Sequence, residues 1–128
     1  MKWIIFLCVP VISIAQKTQS VVFKPMSDHA DMQITIYKGK ADKLNDDYLY
    51  YSDFILAKEK AVDNKTKLKL NSFYLIIIYD YTKKNNEFFY ISTANKKQKT
   101  PLIIKCNFTV NTRWSVYYQD NKYLFTQF

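Results

Sequence analysis

The chain has 128 residues, a formal net charge of +8, and 48% hydrophobic and 17% aromatic residues. This composition excludes a disordered polymer, which contains few aromatic side chains, and the length fits one domain with a single core. Only Arg113 among the basic residues is an arginine. Because phosphate and base recognition favour the arginine fork, we expect no specific nucleic-acid partner and only weak, non-specific attraction to anionic surfaces.

The first fifteen residues have the pattern of an export signal. Lys2 precedes an apolar run over residues 3–14, and the small residues Ser13 and Ala15 predict cleavage after Ala15. The run is shorter than the roughly 20 residues of a membrane span. We therefore predict a signal peptide over residues 1–15 and one domain over 16–128, secreted or located in the periplasm or cell envelope and not transmembrane after cleavage. An uncleaved anchor or a buried first strand are the alternatives.

The chain contains two cysteines, Cys8 and Cys106. Cleavage would remove Cys8, so no disulfide could form within the mature chain. Cys106 alternates in phase with Leu102 and Ile104, which predicts a buried, unreactive thiol. The alternative is a disulfide between two molecules.

Alternation of apolar and polar side chains, the period of a strand with one buried face, recurs along the chain after residue 16. It predicts strands over residues 20–23, 32–37, 66–70, 74–81, 88–93, 102–110, 114–118 and 122–128. Turn-forming residues separate them at 38–40, 63–65, 84–86, 95–97 and 120–121. Short strands at this spacing predict an all-β fold, a single antiparallel β-sandwich of about seven or eight strands.

Two of the apolar stretches differ from simple alternation. Residues 74–81 are apolar on both faces, which predicts a central strand covered on each side. Residues 48–62 can form two strands, or a strand followed by a helical turn at 55–60; we expect strands.

Residues 34–93 match the motif order of a known β-sandwich. Residues 34–38 (ITIYK) fit its opening strand, and residues 63–70 (DNKTKLKL) its middle motif. Residues 74–78 (YLIII) are similar to a Y-x-L-x-I strand, Asp80-Tyr81 stands where a Gly-Tyr pair would, and residues 89–93 (FYIST) fit the closing strand. The chain thus resembles the transthyretin-like or carboxypeptidase-regulatory-like domains of exported bacterial proteins; an immunoglobulin-like sandwich is the alternative. The resemblance implies a non-enzymatic binding or structural module.

The sequence offers one weak candidate for a metal or catalytic site. Asp28, His29 and Asp31 have metal-ligating side chains, but a site needs three or four ligands in suitable geometry, and this spacing is more typical of a solvated turn. No nucleophile elbow accompanies the single histidine. We therefore expect no metal, no cofactor and no catalytic residue. A small secreted hydrolase or metal-dependent enzyme using this cluster is the alternative.

Tyrosine and tryptophan side chains are the better candidates for a binding site. Exposed aromatic rings bring a large contact area at small entropic cost, so they can stack on sugars or anchor a protein. The candidates are Tyr48, Tyr50, Tyr51, Trp114, Tyr117 and Tyr118, with Tyr37, Tyr79 and Tyr81 as further members. The competing interpretation buries these rings and leaves only their hydroxyl groups in water.

These observations together predict an exported β-sandwich that acts as a binding or structural module. Its expected partner is a protein or glycan at the cell surface, held by an aromatic patch rimmed with lysines. A secreted inhibitor that captures another protein is a further alternative.

Overall fold

The computed structural model describes residues 17–26, 31–40, 53–107 and 112–127. This part of the chain contains nine strands and no α-helix, which confirms the predicted all-β fold. The strands are β1 (Thr18–Pro25), β2 (Met32–Gly39), β3 (Phe54–Leu56), β4 (Lys65–Lys69), β5 (Phe73–Asp80), β6 (Asn85–Ser92), β7 (Leu102–Cys106), β8 (Thr112–Gln119) and β9 (Lys122–Gln127). The predicted signal peptide lies outside the described residues.

The strands form two sheets, one with the order β4-β1-β7 and one with the order β3-β2-β5-β6-β8-β9. The pairing differs from a purely antiparallel sandwich in two places, because β1 and β7 are parallel and so are β6 and β8. Neither pair is joined by a hairpin: the chain leaves β6 for β7 in the smaller sheet and then returns to β8. Alternation in a sequence reports which face a side chain takes and carries no information on strand direction.

Two predicted turns are tight hairpins that fix the register of their strands. Asp63 and Asn64 have φ of 53° and 59°, and Asp120 and Asn121 have φ of 54° and 64°. Positive φ at both central residues is the geometry of a type I′ turn, which asparagine and aspartate tolerate. The first turn joins Val62 to Lys65 and the second joins β8 to β9.

The core lies between the two sheets. Its fully buried side chains come from both of them and include Val21, Phe23, Leu68, Tyr74, Ile76, Ile78, Phe89, Ile91, Ile104, Cys106 and Val116. Strand β5 lies between β2 and β6, as a central strand should. Its inward residues Ile76 and Ile78 have no exposed surface, whereas its outward residues Ile77 and Tyr79 are half-buried. The outer face of the larger sheet is therefore accessible at Ile77 and Tyr79, whereas Leu75, which points to the same face, is buried.

Residues 48–62, for which the sequence allows either two strands or a strand followed by a helical turn, are described from Asp53 onward. Phe54–Leu56 forms the short edge strand β3, paired with the end of β2. The helical alternative at residues 55–60 does not form, since no helix follows β3 there.

Cys106 is buried, as its phase in the sequence predicted. Its side chain lies in the core, and its Sγ is 3.7 Å from the carbonyl oxygen of Ile104. Burial, with a smaller contribution from the charge of Glu87, raises the pKa of the Cys106 thiol to about 12. A thiol at this pKa is neutral in the folded protein at physiological pH and is a poor nucleophile.

The raised thiol pKa makes an expected contribution to alkaline unfolding. Above pH 9 an exposed thiol loses its proton whereas Cys106 keeps it until about pH 12, so this group's contribution to the free energy of unfolding falls as pH rises. The expected fall is up to about 1.4 kcal/mol per pH unit. Urea denaturation between pH 8 and pH 11 should show a shallower decline for Cys106→Ala than for the wild type. Identical declines, or rapid labelling of the native thiol, would contradict the buried position.

Candidate ligand-binding face

The outer face of the larger sheet brings polar and aromatic side chains into rows across neighbouring strands. In one row Gln33 on β2 lies opposite Tyr79 on β5, which lies opposite Asn86 on β6. Residues directly opposite one another on the same face of a sheet are in contact. The sheet therefore gathers side chains that are distant in the sequence.

These residues line a shallow groove of about 380 Å³. The groove, called here the tyrosine groove, consists of Gln33, Thr35, Ile77, Tyr79, Tyr81 and Asn86. Tyr81 is 51% exposed, among the most exposed of the large apolar side chains in the described residues. Beside the groove, the guanidinium group of Arg113 lies 5.5 Å from the centre of the Phe88 ring.

Contacts on both sides hold the ring of Tyr81 in place. It packs edge-on against Tyr79, with ring centroids 4.9 Å apart and an interplanar angle of 71°. Its hydroxyl group donates a hydrogen bond to the Oε1 atom of Gln33. Its backbone N–H donates to the carbonyl oxygen of Asp31 at 2.9 Å. A ring fixed in this way loses little conformational entropy when a ligand stacks on it.

The chemistry of the tyrosine groove suits the binding of a ligand with both an apolar face and hydroxyl groups. Its lining combines two phenol rings with amide and hydroxyl groups, which can donate and accept hydrogen bonds. Among the described residues that line it, Thr35 and the two tyrosines carry hydroxyl groups, and Gln33 and Asn86 carry amides.

The aromatic residues predicted from β8 do not share one surface. Trp114 and Tyr118 lie on the face of β8 that also carries buried Val116, and Tyr117 lies on the opposite face. The indole Nε1 of Trp114 donates to Oε2 of Glu87 at 3.1 Å. Tyr117 is outward, with its hydroxyl 3.5 Å from Oγ1 of Thr126.

Trp114 and Tyr118 line two clefts beside the open edges of β7 and β9. Trp114, Phe125 and Ile103 line the first cleft, which has a volume of about 330 Å³. Tyr118 lines the second cleft, which lies next to it. The hydroxyl of Tyr118 donates to Oε1 of Gln98 at 3.0 Å, and its ring packs on Tyr123 at 5.2 Å. The polar ends of both side chains are thus bonded inside the protein.

Several sequence-predicted positions lie outside the described residues. They are Tyr48, Tyr50 and Tyr51 of the aromatic set, and Asp28 and His29 of the candidate metal cluster. Asp31, the third member of that cluster, is exposed and directly precedes β2. Within the described ranges no three metal-ligating side chains come together, and no helix is long and apolar enough to cross a membrane.

Tyr37, Tyr79 and Tyr81 could be noticed in the sequence because they flank apolar strands, and Tyr37 also points outward on β2. Gln33, Thr35 and Asn86 were missed. They look like ordinary polar positions of alternating strands, and only the pairing of β2, β5 and β6 brings them beside the tyrosines.

Comparison with protein-family models, curated proteins and solved structures finds no match. The resemblance to transthyretin-like domains therefore stays a prediction. The groove itself must carry any argument about function.

Proposed function

We propose that this protein is an exported, non-enzymatic binding module that holds a neutral glycan chain in the tyrosine groove. The exposed ring of Tyr81, packed against Tyr79 and bonded to Gln33, is the observation that carries the proposal. Its site of action would be the periplasm, the cell envelope or the exterior, as the N-terminal pattern predicts.

The chemistry of the groove favours a sugar ring as the ligand. The face of a sugar is apolar enough to stack on a phenol ring, while its edge carries hydroxyl groups that need donors and acceptors. Tyr81 offers the ring. The side chains of Gln33, Thr35 and Asn86 offer amide and hydroxyl groups in the same groove.

The shallow shape of the groove is consistent with a polymer more than with a small molecule. Sites for small molecules bury most of the ligand's surface in a concave pocket. The tyrosine groove instead lies on an open sheet face, where a chain can cross β2, β5 and β6. A polymer that crosses these strands can contact more of the groove's side chains than a single sugar unit can.

The first experiment screens the purified protein against neutral hexasaccharides of the cello, chito, malto and xylo series. We run it at about 50 mM and about 500 mM sodium chloride, since screening weakens charge attraction but leaves stacking nearly unchanged. Salt-resistant binding to one series supports the proposal. Binding to none of them, or binding that disappears at high salt, would contradict it.

Tyr81→Ala is the expected loss-of-binding variant. Removing the stacking ring should raise Kd for the bound hexasaccharide at least about tenfold, equivalent to about 1.4 kcal/mol. Tyr81→Phe, which keeps the ring, should change Kd by less than about threefold. Isothermal titration calorimetry measures both.

Tyr117→Ala is the matched control, because Tyr117 is also an outward tyrosine of the larger sheet but lies on β8, away from the groove. It should bind like the wild type. Equal losses for the Tyr81 and Tyr117 variants would show that the groove is not the site.

A further inference from the structure

The two sheets differ strongly in charge. The three strands of the smaller sheet contain five lysines, Lys24, Lys65, Lys67, Lys69 and Lys105, and no acidic residue. The six strands of the larger sheet contain three basic and two acidic residues. The excess positive charge of the described strands therefore belongs mainly to the smaller sheet.

Strand pairing concentrates these lysines on the outer face of that sheet. The core-facing residues Val21 and Phe23 of β1 are buried, so the alternate residues of β1 point outward. Lys24 lies opposite Lys105 in the parallel β1–β7 pair, and both are exposed. Lys65 and Lys67 also point outward, on the edge strand β4.

The hairpin before β4 adds one more lysine and makes a cleft. Val62 and Lys65 exchange two backbone hydrogen bonds of 2.8 and 3.1 Å, and the hydroxyl of Thr66 donates to the carbonyl oxygen of Lys60 at 3.1 Å. Lys60 is thereby held beside β4. Lys60, Lys65 and Lys67 line a cleft of about 350 Å³, called here the lysine cleft, with Ser20, Val21, Val22 and Thr66.

The lysine cleft places like charges side by side without a described acidic partner. Lys65 and Lys67 lie on one face of β4, opposite the uncharged residues Val22 and Ser20, and like charges at this spacing repel one another. The three ammonium groups are all on exposed residues and make no ion pair with any acid of the described residues. An anion in the cleft would relieve this repulsion.

From this geometry we infer that the lysine cleft binds a linear anionic polysaccharide, a ligand class and a surface that the proposed glycan site does not include. Lys65 and Lys67 are two residues apart on one strand, so their Cα atoms are separated by about 6.6 Å. Lys24 and Lys105 continue the positive surface across the sheet. A polymer with regularly repeated carboxylate or sulfate groups can meet these charges in series.

Two other anionic partners fit the cleft less well. Single-stranded nucleic acid binds through aromatic stacking platforms, and none of the described residues that line the cleft is aromatic. A membrane surface is extended and flat, whereas these three lysines line a cleft that is confined to β1, the edge strand β4 and the segment before it. Lysine, a solvated point charge, also suits flexible carboxylates or sulfates better than fixed bidentate recognition.

The test measures binding of the purified protein to polygalacturonate and dextran sulfate oligosaccharides in about 50 mM and about 150 mM sodium chloride. The triple variant Lys60→Gln, Lys65→Gln, Lys67→Gln should raise Kd at least about tenfold. The charge-matched control Lys96→Gln, Lys97→Gln, Lys122→Gln, which changes exposed lysines outside the cleft, should raise it less than about threefold.

Further measurements, of the unfolding temperature and of the binding of a Tyr81 variant and of lipid vesicles, distinguish the possible outcomes. The triple cleft variant should unfold at the same temperature as the wild type or higher, because it removes repulsion. Tyr81→Ala should bind the anionic oligosaccharides like the wild type, which keeps this test independent of the tyrosine groove. Equal losses in both triple variants, no binding at low salt, or tighter binding to phosphatidylglycerol vesicles than to either polysaccharide would overturn the inference.

Discussion

Ile78→Asp is expected to leave the protein unfolded, whereas Ile77→Asp, one residue earlier on the same strand, should fold. Ile78 has no exposed surface and faces the core, where its neighbour across the strands is Glu87. An aspartate there loses the burial of the isoleucine, places a carboxylate in an apolar interior and sets it directly against a second acidic side chain. We expect a loss above about 5 kcal/mol, comparable with the whole stability of a domain.

Ile77 provides the control because it is half-buried on the outer face, at the floor of the tyrosine groove. A carboxylate at that position keeps contact with water, so the expected loss is about 1–2 kcal/mol. Circular dichroism and urea denaturation distinguish the two variants. A native spectrum for Ile78→Asp, or an unfolded Ile77→Asp, would contradict the assignment of inner and outer faces on β5.

Glu87→Ala is expected to cost about 3–5 kcal/mol, because this carboxyl group connects the two sheets. Glu87 is 1% exposed. Its Oε1 accepts a hydrogen bond from the backbone N–H of Asn107, just after β7, at 2.7 Å. Its Oε2 accepts from the indole of Trp114 on β8 at 3.1 Å. Truncation removes the acceptor of both donors and leaves a cavity.

Glu87→Gln separates shape from hydrogen bonding. The amide has nearly the same size, but it can offer only one oxygen, so its NH₂ group must face one of the two N–H donors. The expected cost is about 2–3 kcal/mol. Asp120→Asn is the control, since Asp120 is exposed in the β8–β9 turn at a positive φ that asparagine tolerates. It should change the free energy of unfolding by less than about 0.5 kcal/mol. Equal losses of stability for Glu87→Gln and Asp120→Asn would contradict the role of Glu87 as a bridge between the two sheets.

The positions of the strands could be predicted from the sequence because alternation directly reports the burial of one sheet face. Leu102, Ile104 and Cys106 are buried in the phase that their spacing indicated. The turns at 63–64 and 120–121 could also be predicted from the sequence, because asparagine and aspartate tolerate the positive φ of a tight turn.

The order and direction of the strands could not be predicted in the same way. The two parallel pairs join strands that are not consecutive in the chain. A local pattern of apolar and polar residues does not specify which distant strands pair with each other. For the same reason Trp114, Tyr117 and Tyr118 looked like one aromatic patch in the sequence. Alternation along β8 in fact sends Tyr117 to the face opposite the other two.

The lysines show the same limit. The excess of basic over acidic residues in the sequence sets the net charge of the chain. From that charge alone we predicted only weak, non-specific attraction to anionic surfaces. The fold separates the lysines: β1, β4 and β7 carry lysines without acids, while the described residues that line the tyrosine groove on the larger sheet are all uncharged. One small sandwich thus presents two chemically different outer faces, one aromatic and one cationic.

The most direct test of the proposed function is a nuclear magnetic resonance titration of the labelled protein with the tightest-binding of the four neutral hexasaccharides. We expect the largest amide shifts at Gln33, Thr35, Tyr79, Tyr81 and Asn86, which line the tyrosine groove. The resonances of β1, β4 and β7, on the smaller sheet, should stay in place. Largest shifts around Trp114 and Tyr118, or spread over the lysine cleft, would show that the tyrosine groove is not where this protein holds a glycan.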